Sequence, residues 1–275
     1  MTATFFGGQG NQLFVYASLL GIAKAHNRTA FIRRGTILER VFEITHVNNN
    51  ISTNGWVPGA RLTSNSDRMR EKMFAAFETR LMNVSKENIT LVGCMQVWRY
   101  FTNIEDEIRR ELTFLPHLRK QISGTLGKFR NQFEGNIIVG VHVRRGDFLS
   151  SENVKKGYGV ANASYFVKAF ARMRSMLNGA NVTFIVASDD LTWCHANLNS
   201  PDVQILAPGS SMWHFGVLAN CDHVIMSGGT YGWWAAWLAD GITIYYQKYL
   251  VKGTWLFRGV NLQDYYPAKW VPLGD

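Results

Sequence analysis

The stretch that decides the fold is Ile137-Ile138-Val139-Gly140-Val141-His142-Val143-Arg144-Arg145-Gly146-Asp147. Its first part, 137–143, is a run rich in β-branched residues, which is typical of a strand buried on both faces of a parallel sheet. The charged residues 144–147 follow where this strand is predicted to end. Since ligands of open parallel sheets bind at the carboxyl ends of the strands, this segment is predicted to be a binding loop.

The rest of the C-terminal half alternates between apolar runs and helical patterns. Apolar runs predict further strands at 182–187, 203–206, 223–226 and 242–246. Apolar residues at helical spacing predict helices near 165–177, 212–220 and 230–239. Strands that alternate with helices indicate a parallel sheet of Rossmann type.

The N-terminal half is less regular, but it also mixes helices and strands. Helices are predicted at 11–25 and 103–112, strands at 29–32 and 89–92, and a long polar loop at 48–67. We place the division between two lobes near 131–136, which gives lobes of 1–133 and 134–275. The predicted fold class is therefore α/β, with two Rossmann-like lobes and a cleft between them, because such clefts are common ligand sites.

The composition indicates a folded protein with anionic partners. Of the 275 residues, 47% are apolar and 18% are charged, which supports a packed core and argues against wholesale disorder. The formal charge of +9 favours a nucleotide diphosphate, a nucleic acid or a membrane surface as partner. The basic residues form no long run, which disfavours nucleic acid. A basic surface with no binding role is the plain alternative.

Signals for targeting and for glycosylation point in different directions. No stretch of about 18 apolar residues occurs, so this segment is expected to make no membrane contact. The opening residues 1–6 are too short for a signal peptide. Yet N-glycosylation sequons, which indicate a glycosylating lumen, begin at Asn27, Asn50, Asn83, Asn88, Asn162 and Asn181. An N-terminal anchor is therefore expected to be missing from this sequence.

The three cysteines, Cys94, Cys194 and Cys221, show no metal-ligand spacing. A disulfide between Cys194 and Cys221 and a pair of buried free thiols are both compatible with the sequence.

The pair Arg144-Arg145 is the strongest candidate for ligand binding. Guanidinium groups present forked donors that match phosphate oxygens in pairs. Neighbouring side chains of an extended segment point to opposite sides, so one arginine can face the ligand while Asp147 holds the other. The alternative is an ordinary surface arginine pair with a salt bridge.

Two glycine-rich turns are predicted to bring backbone N–H groups to a ligand. The first, Gly7-Gly8-Gln9-Gly10-Asn11-Gln12, stands at the head of the first helix. The second, Ser227-Gly228-Gly229-Thr230, joins a strand to a helix. Glycines permit close backbone approach, and a helix N-terminus favours anions. Each turn by itself is also compatible with an ordinary tight turn.

Several motifs resemble those of one enzyme family. His-x-Arg-Arg-x-Asp at 142–147 resembles the GDP-fucose-dependent fucosyltransferases of the α1,2, α1,6 and protein-O-linked groups. The similarity to the α1,2 group is much wider. It includes 7–12 with Tyr16-Ala17, 96–101, 139–148, 192–194, 220–223 and 229–238, in that group's order. The ordered set spans nearly the whole chain and is specific, although each motif alone is not.

The resemblance implies two GT-B-like lobes, with the acceptor on the N-terminal lobe and GDP-fucose on the C-terminal lobe. It implies an inverting, metal-independent transfer of L-fucose from GDP-β-L-fucose to the 2-hydroxyl of a terminal β-galactoside, with no cofactor. The sequence agrees, since it has no Asp-x-Asp motif and Asp189-Asp190 is better interpreted as a helix cap. The resemblance also implies a type II membrane glycoprotein of the Golgi lumen.

The same resemblance implies the residues of the site. Arg144 would hold the β-phosphate, where an arginine stabilises charge that grows as the bond breaks. His142 would lie near the guanosine, and Asn11 and Thr230 would complete the nucleotide pocket. The predicted nucleotide-binding set is Asn11, Gln12, His142, Arg144, Arg145, His214 and Thr230, and the predicted catalytic set is Arg144, Asp147 and Glu152.

The resemblance leaves two roles open, the contact to guanine and the general base. The α1,2 enzymes carry an acidic residue, which would grip the guanine, where this chain has His214, and a neutral histidine accepts only one hydrogen bond. The general base is open between Asp147 and Glu152, with Asp147 expected to be held by Arg145. A very dissociative transition state needs little base assistance, so a dedicated base is not required.

Other functions remain open at the level of sequence. One is a fucosyltransferase with another acceptor or linkage, since specificity cannot be read from the acceptor loops 48–67 and 149–159. Another is a pseudoenzyme that binds a nucleotide or glycan without turnover. His214 and the missing anchor favour the pseudoenzyme, whereas Arg144, Asp147 and Asn11 count against it. Nucleic-acid binding is the most distant alternative.

Overall fold

The computed structural model describes residues 1–47, 56–57, 60–61, 68–84 and 89–275. The strands are β1 (Thr2–Ala3), β2 (Trp56–Val57), β3 (Ala60–Arg61), β4 (Arg68–Arg70), β5 (Thr90–Val92), β6 (Ile137–Val143), β7 (Val182–Ser188), β8 (Val203–Ile205), β9 (His223–Met226), β10 (Thr243–Tyr246) and β11 (Val271–Leu273). The helices are α1 (Gln9–Ala25), α2 (Glu105–Glu111), α3 (Pro116–Gln132), α4 (Ser151–Lys156), α5 (Ala163–Met176), α6 (Leu191–Asn197), α7 (Ser211–Ala219), α8 (Gly229–Ala239), α9 (Trp255–Arg258) and α10 (Leu262–Tyr265).

The chain forms two compact units. Unit 1 comprises Met1–Leu115 and Gly259–Pro267, and unit 2 comprises Pro116–Arg258 and Ala268–Asp275. The boundary expected at 133/134 therefore falls inside unit 2, because α3 packs on α7 through the Trp213 Nε1 donor and Thr125 Oγ1, 3.1 Å apart. Unit 1 in turn takes in a short segment from near the C-terminus, which no local sequence pattern indicated.

Unit 1 is built on a three-stranded parallel sheet in the order β1-β5-β4. The long helix α1 is buried against it over most of its length, since its apolar residues occur on every side. A Cβ on Gly21 would lie 2.0 Å from the Tyr100 carbonyl oxygen, so only glycine lets the chain at residue 100 approach the helix this closely. The helices predicted at 11–25 and 103–112 and the strand at 89–92 are confirmed in α1, α2 and β5.

One predicted strand is wrong, and one predicted loop cannot be described. Residues 29–32 form no strand, because only Ile32 makes a bridge, to Val47. The expected loop at 48–67 lies outside the described residues except for the antiparallel pair β2–β3. The sequon residues Asn50 and Asn88 also lie outside them.

Unit 2 is a six-stranded sheet in the order β11-β10-β9-β6-β7-β8. Every pairing in it is parallel, with Gly140 opposite Ile185 on one side and Val224 on the other. The predicted strand 137–143 coincides with β6, whose residues are almost all buried. The chain runs from β6 outward to β8 and then returns to β9 on the other side. The strand order therefore reverses between β6 and β9.

Two further expectations concern cysteines and membranes. All three cysteines are free thiols, and Cys194 and Cys221 are buried, so the alternative without a disulfide is the one observed. Burial raises the pKa of both buried thiols. Among the described helices, none has the length and apolar character needed to span a bilayer.

Candidate active site

The loops after β6 and β9 leave the same edge of the unit 2 sheet at the point where its strand order reverses. In open parallel sheets such a point is where ligands bind. Two hydrogen bonds hold the loops together: Ser227 N donates to the His142 carbonyl at 3.1 Å, and Arg144 N donates to Ser227 Oγ at 2.8 Å. The predicted arginine loop and the second glycine-rich turn are thus brought side by side.

Arg144 is held by two carboxylates. Its Nη1 donates to Asp189 Oδ2 at 2.6 Å and its Nη2 donates to Asp147 Oδ1 at 2.5 Å. The expectation that Arg145 would hold Asp147 is wrong, because residues 146–149 form a 3₁₀ turn that carries Asp147 back to the side chain three residues earlier. Arg144 remains about one-third exposed.

Arg145 contacts two side chains of the neighbouring loop and helix. Its Nε donates to Asp190 Oδ2 at 3.1 Å, and its guanidinium lies 4.0 Å from the centre of the Trp193 ring. Asp190 also accepts from Trp193 N at 3.0 Å and so caps α6, as expected for the Asp189-Asp190 pair. The two adjacent arginines do point to different partners, although the partner of Arg145 is Asp190.

Asp189 is a partner of this loop that was not predicted from the sequence. Besides the Arg144 side chain it accepts the N–H of Arg145, at 2.9 Å. A Cβ on Gly146 would lie 2.4 Å from Asp189 Oδ2, so the loop is packed directly on this carboxylate. The sequence did offer an indication of this. Asp189 directly follows the predicted strand that became β7, and the carboxyl ends of parallel strands are where ligands bind.

The arginine loop and the two aspartates that follow β7 together carry more negative than positive charge. Two arginines face three aspartates, and each aspartate is hydrogen-bonded to one of the arginines. An anion that binds Arg144 therefore competes with these carboxylates for the guanidinium donors. Asp147 is the easier one to displace, because its side chain is 58% exposed against 27% for Asp189, and water weakens an exposed ion pair.

His142 lies at the end of β6, beneath α8. It is 6% exposed, and its Nδ1 has no hydrogen-bond partner within the part of the chain that the structure describes. Burial, assisted by the charge of Arg144, lowers the pKa of His142 to about 3, so the ring is neutral at pH 7. Its ring contacts Tyr231, and a Cβ on Gly232 would lie 2.4 Å from Nδ1.

The start of α8 supplies backbone donors with no side-chain cap. Gly228 has φ +141° and Gly229 has φ +78°, both in the region that favours glycine. Thr230 stands in the first turn, half-buried. A helix N-terminus that lacks a capping side chain and follows a glycine turn offers N–H groups to an anion. Arg144, Thr230 and His142 therefore border one region of unit 2.

The contacts of His214 and Glu152 give little support to the roles predicted for them. His214 is buried in α7, where its Nε2 donates to the Ala207 carbonyl at 3.0 Å and leaves only Nδ1 as a further acceptor. Glu152 is 78% exposed in α4 and accepts from Lys156 Nζ at 2.5 Å, which lowers its pKa. A lowered pKa makes a carboxylate a weaker base.

The remaining predicted residues, Asn11 and Gln12, lie in the first turn of α1 in unit 1. Asn11 Oδ1 accepts from Gln96 Nε2 at 3.2 Å, which joins the first and second of the recognised motifs. Gln12 Nε2 donates to the Gly7 carbonyl at 3.0 Å. The N-cap residue of α1 is Gly8, so this helix, like α8, begins without a side-chain cap. Unit 1 thus carries a second helix start of the same kind.

Phe148, Tyr158 and Tyr249 form an aromatic cluster next to Arg144. The ring centres of Phe148 and Tyr158 are 4.6 Å apart, and those of Phe148 and Tyr249 are 5.9 Å apart. The Arg144 guanidinium carbon lies 5.0 Å from the centre of the Phe148 ring. Within the described residues, no group of three or more His, Cys, Asp or Glu is arranged to hold a metal ion.

Solved structures of fucosyltransferases share this fold. NodZ α-1,6-fucosyltransferase co-crystallised with GDP matches with a TM-score of 0.57 at 18% identity, over 85% of this chain and 90% of that one. A mutant of Arabidopsis thaliana FUT1 in complex with GDP matches with a TM-score of 0.57 at 12% identity, over 89% and 69%. At this identity the likeness concerns the fold alone, and it confirms the α/β, GT-B-like class.

Similarity of sequence is closer to another group. Galactoside alpha-(1,2)-fucosyltransferase 2 of Sus scrofa is 30% identical over 99% of this chain and 79% of its own length. The Bos taurus enzyme of that name is 31% identical over 99% of this chain and 78% of its own length. The model of glycosyl transferase family 11 matches residues 2–273. The chain therefore belongs to glycosyl transferase family 11.

Proposed function

We propose that this protein transfers L-fucose from GDP-β-L-fucose to the 2-hydroxyl of a terminal β-galactoside and forms an α1,2 linkage with inversion. One observation carries the proposal. The Arg144 loop is hydrogen-bonded to the turn before α8, a helix whose first N–H groups have no side-chain cap, at the point where the strand order of the sheet reverses. The chain's family and relatives named galactoside alpha-(1,2)-fucosyltransferase support the choice of sugar and linkage.

The leaving diphosphate is the group that the site is built to stabilise. As the bond between the anomeric carbon and the phosphate oxygen breaks, negative charge grows on the β-phosphate. The Arg144 guanidinium exchanges its hydrogen bond to Asp147 for one to the β-phosphate, while its hydrogen bond to Asp189 keeps it in place. The N–H groups at the start of α8 and the Thr230 hydroxyl add further donors. Such prearranged donors stabilise the transition state more than the ground state.

Proton transfer favours Asp147 over Glu152. When the phosphate takes Arg144, the Asp147 carboxylate loses its partner and becomes available in the same exchange, whereas Glu152 stays paired with Lys156. The acceptor oxygen then bonds to the anomeric carbon, GDP leaves with the electron pair, and the hydroxyl proton passes to Asp147. The arginine, N–H and hydroxyl donors supply the charge stabilisation, so we propose that the reaction needs no metal.

At the nucleotide end, neutral His142 of unit 2 is proposed to lie near the guanosine. The role of Asn11 and Gln12 of unit 1 as nucleotide contacts stays a prediction from the family resemblance. The ring of His214 has already given its N–H to Ala207 and retains a single acceptor, so guanine selectivity is proposed to be weaker than with a carboxylate. The Golgi lumen remains the proposed location, by analogy with the relatives' activity.

The experiment is transfer of labelled fucose from GDP-fucose to a β-galactoside in the presence of EDTA. We expect fucose on the 2-hydroxyl, and we expect Arg144→Ala to reduce turnover by about a hundredfold or more. The exposed arginine Arg172 on α5 provides the matched control, and Arg172→Ala should retain full activity. Undiminished turnover in Arg144→Ala would exclude this arginine from the mechanism.

A nucleotide-binding pseudoenzyme is the second candidate, and the carboxylates that hold Arg144 favour it. In that case GDP would raise the melting temperature of the protein, but no fucose would be transferred to any galactoside offered. Absence of both transfer and GDP binding would contradict both candidates.

A further inference from the structure

The face of the aromatic cluster beside Arg144 is formed by Phe148. This ring is half-buried, with Tyr158 and Tyr249 stacked against it, so the neighbouring rings fix its position. Tyr249 in turn lies where a Cβ on Gly228 would stand, 2.2 Å from Tyr249 Cδ2. The aromatic cluster therefore packs directly against the glycine turn that precedes α8.

Phe148 adjoins both groups that are proposed to hold the diphosphate. Its ring centre is 5.0 Å from the Arg144 guanidinium carbon, and its Cζ is 3.6 Å from where a Cβ on Gly229 would stand. The sugar of a nucleotide sugar is bonded directly to the terminal phosphate. A side chain in contact with both phosphate-binding groups is therefore well placed to touch the sugar.

The chemistry of the Phe148 ring suits a deoxy sugar. L-Fucose carries a methyl group where L-galactose carries a hydroxymethyl group, and the two sugars are otherwise identical. A site that prefers the methyl group needs an apolar surface with no hydrogen-bond partner for the extra hydroxyl, because burying an unpaired hydroxyl is costly. Among the side chains within contact distance of Arg144, the Phe148 ring offers such a surface, whereas Asp147 and Asp189 are acceptors.

We propose that Phe148 contacts the C6 methyl group of the donor sugar and selects a 6-deoxy sugar over its 6-hydroxy counterpart. The proposal rests on the proposed function, since it places the diphosphate at Arg144 and α8. It assigns Phe148 as a specificity-determining residue, with Tyr158 and Tyr249 as the support that keeps the ring in place.

The test compares GDP-L-fucose with GDP-L-galactose as donors. We expect the wild-type protein to prefer GDP-L-fucose in kcat/KM by about ten- to a hundredfold, the range typical of one small group in an apolar pocket. Phe148→Ser, which removes the ring and adds a hydroxyl, should reduce this preference about tenfold or more. Phe148→Leu, which keeps an apolar surface, should retain most of it.

A merely structural role for Phe148 would lower activity with both donors equally and leave their ratio unchanged, and that result would overturn the proposal. Phe133 is a matched control, because this half-buried phenylalanine precedes β6 and so lies at the opposite end of that strand. Phe133→Ala should not alter the ratio.

Binding of the two nucleotide sugars, measured by calorimetry, separates this proposal from the proposed function. If no fucose is transferred but Phe148→Ser abolishes a binding preference for GDP-L-fucose, the proposed reaction fails while the role of Phe148 stands. If fucose is transferred and neither ratio responds to Phe148→Ser, the role of Phe148 fails alone.

Discussion

At the scale of single residues, the two arginines of the loop after β6 have different tasks although they are neighbours. Arg145 is half-buried, lies over the Trp193 ring and is paired with Asp190, so it stabilises the loop. Arg144 is more exposed and shares its fork between Asp147 and Asp189. Asp189 therefore helps to fix the position of the Arg144 guanidinium.

Substitution of Asp189 tests that role. Asp189→Ala removes the acceptor of both the Arg144 side chain and the Arg145 N–H, so we expect kcat/KM to fall about tenfold or more while the protein remains folded. Asp147→Asn should lower kcat, through proton transfer, with little effect on the KM for GDP-fucose. Steady-state kinetics of the two variants checks both expectations, and equal effects on KM would contradict the division of roles.

Side-chain partners in this loop mark the limit of what the sequence could predict. The position of Arg144 followed from the strand that precedes it, because a buried parallel strand is a continuous apolar run whose end is easily located. The partner of Asp147 could not be predicted in this way, because it depends on a 3₁₀ turn over Gly146–Leu149 that no local sequence pattern indicates. The role of Asp189 depends on which strand lies beside β6, and sequence alone leaves strand order open.

At the scale of secondary-structure elements, agreement is closest where an element is buried on all sides. The strands β6, β7 and β9 begin where they were predicted, and helix α1 begins two residues earlier than predicted. The failure at 29–32 has the opposite cause: a β-branched and aromatic segment was expected to pair, but a single bridge from Ile32 is all that forms. Strand propensity without a neighbouring strand does not produce a strand.

Glu111 joins elements of unit 1. It is 7% exposed, accepts from Tyr16 Oη of α1 at 2.5 Å and from Thr45 N at 3.0 Å, and lies 3.2 Å from His46 Nδ1. Burial by itself raises the pKa of Glu111, but the hydrogen bonds outweigh burial and lower the pKa to about 2 from its ordinary 4.5. The hydrogen bond to Glu111 raises the pKa of His46 above its ordinary 6.5, against the effect of burial.

These shifts predict how stability depends on pH. The contribution of Glu111 is present above pH 4.5 and is lost as the pH falls towards 2, because its folded pKa is the lower one. The contribution of His46 is complete below pH 6.5 and is lost as the pH rises through its raised pKa. The pair should therefore stabilise unit 1 most between pH 4.5 and 6.5.

Urea unfolding of the wild type and of Glu111→Gln at pH 3, 5.5 and 8.5 measures this. We expect the variant to lose about 1–3 kcal/mol of unfolding free energy, with the largest loss at about pH 5.5. Glu107 on the same helix pairs with Lys24 at the surface, so Glu107→Gln should cost no more than about 0.5 kcal/mol. A loss that does not vary with pH would contradict the assignment.

At the scale of the whole molecule, unit 1 is completed by a segment from near the C-terminus. Asp264 on α10 is 3% exposed, pairs with Arg99 Nη1 at 2.8 Å and accepts from Phe77 N at 2.9 Å. Tyr265 beside it is fully buried and packs against Phe14 of α1. The first 115 residues therefore do not contain all the residues of their own core.

Removal of the Asp264 carboxylate should weaken unit 1. Asp264→Ala leaves the partly buried N–H of Phe77 and the Arg99 guanidinium without their acceptor, and we expect a loss of about 1–3 kcal/mol in unfolding free energy. Asp240 of unit 2 forms an exposed pair with Lys269, so Asp240→Ala should cost less than about 1 kcal/mol. Chemical denaturation followed by circular dichroism compares the two variants, and equal losses would show that α10 contributes little to unit 1.

The return of Gly259–Pro267 to unit 1 also constrains how members of this family can be recombined. A chimera joined at Leu115–Pro116 takes its C-terminal part, including α10, from the other parent, so Asp264 and Tyr265 of one protein would have to complete the core of another. An exchange of the whole of unit 2 between relatives therefore needs three junctions, after residues 115, 258 and 267, so that residues 259–267 stay with the parent that supplies unit 1.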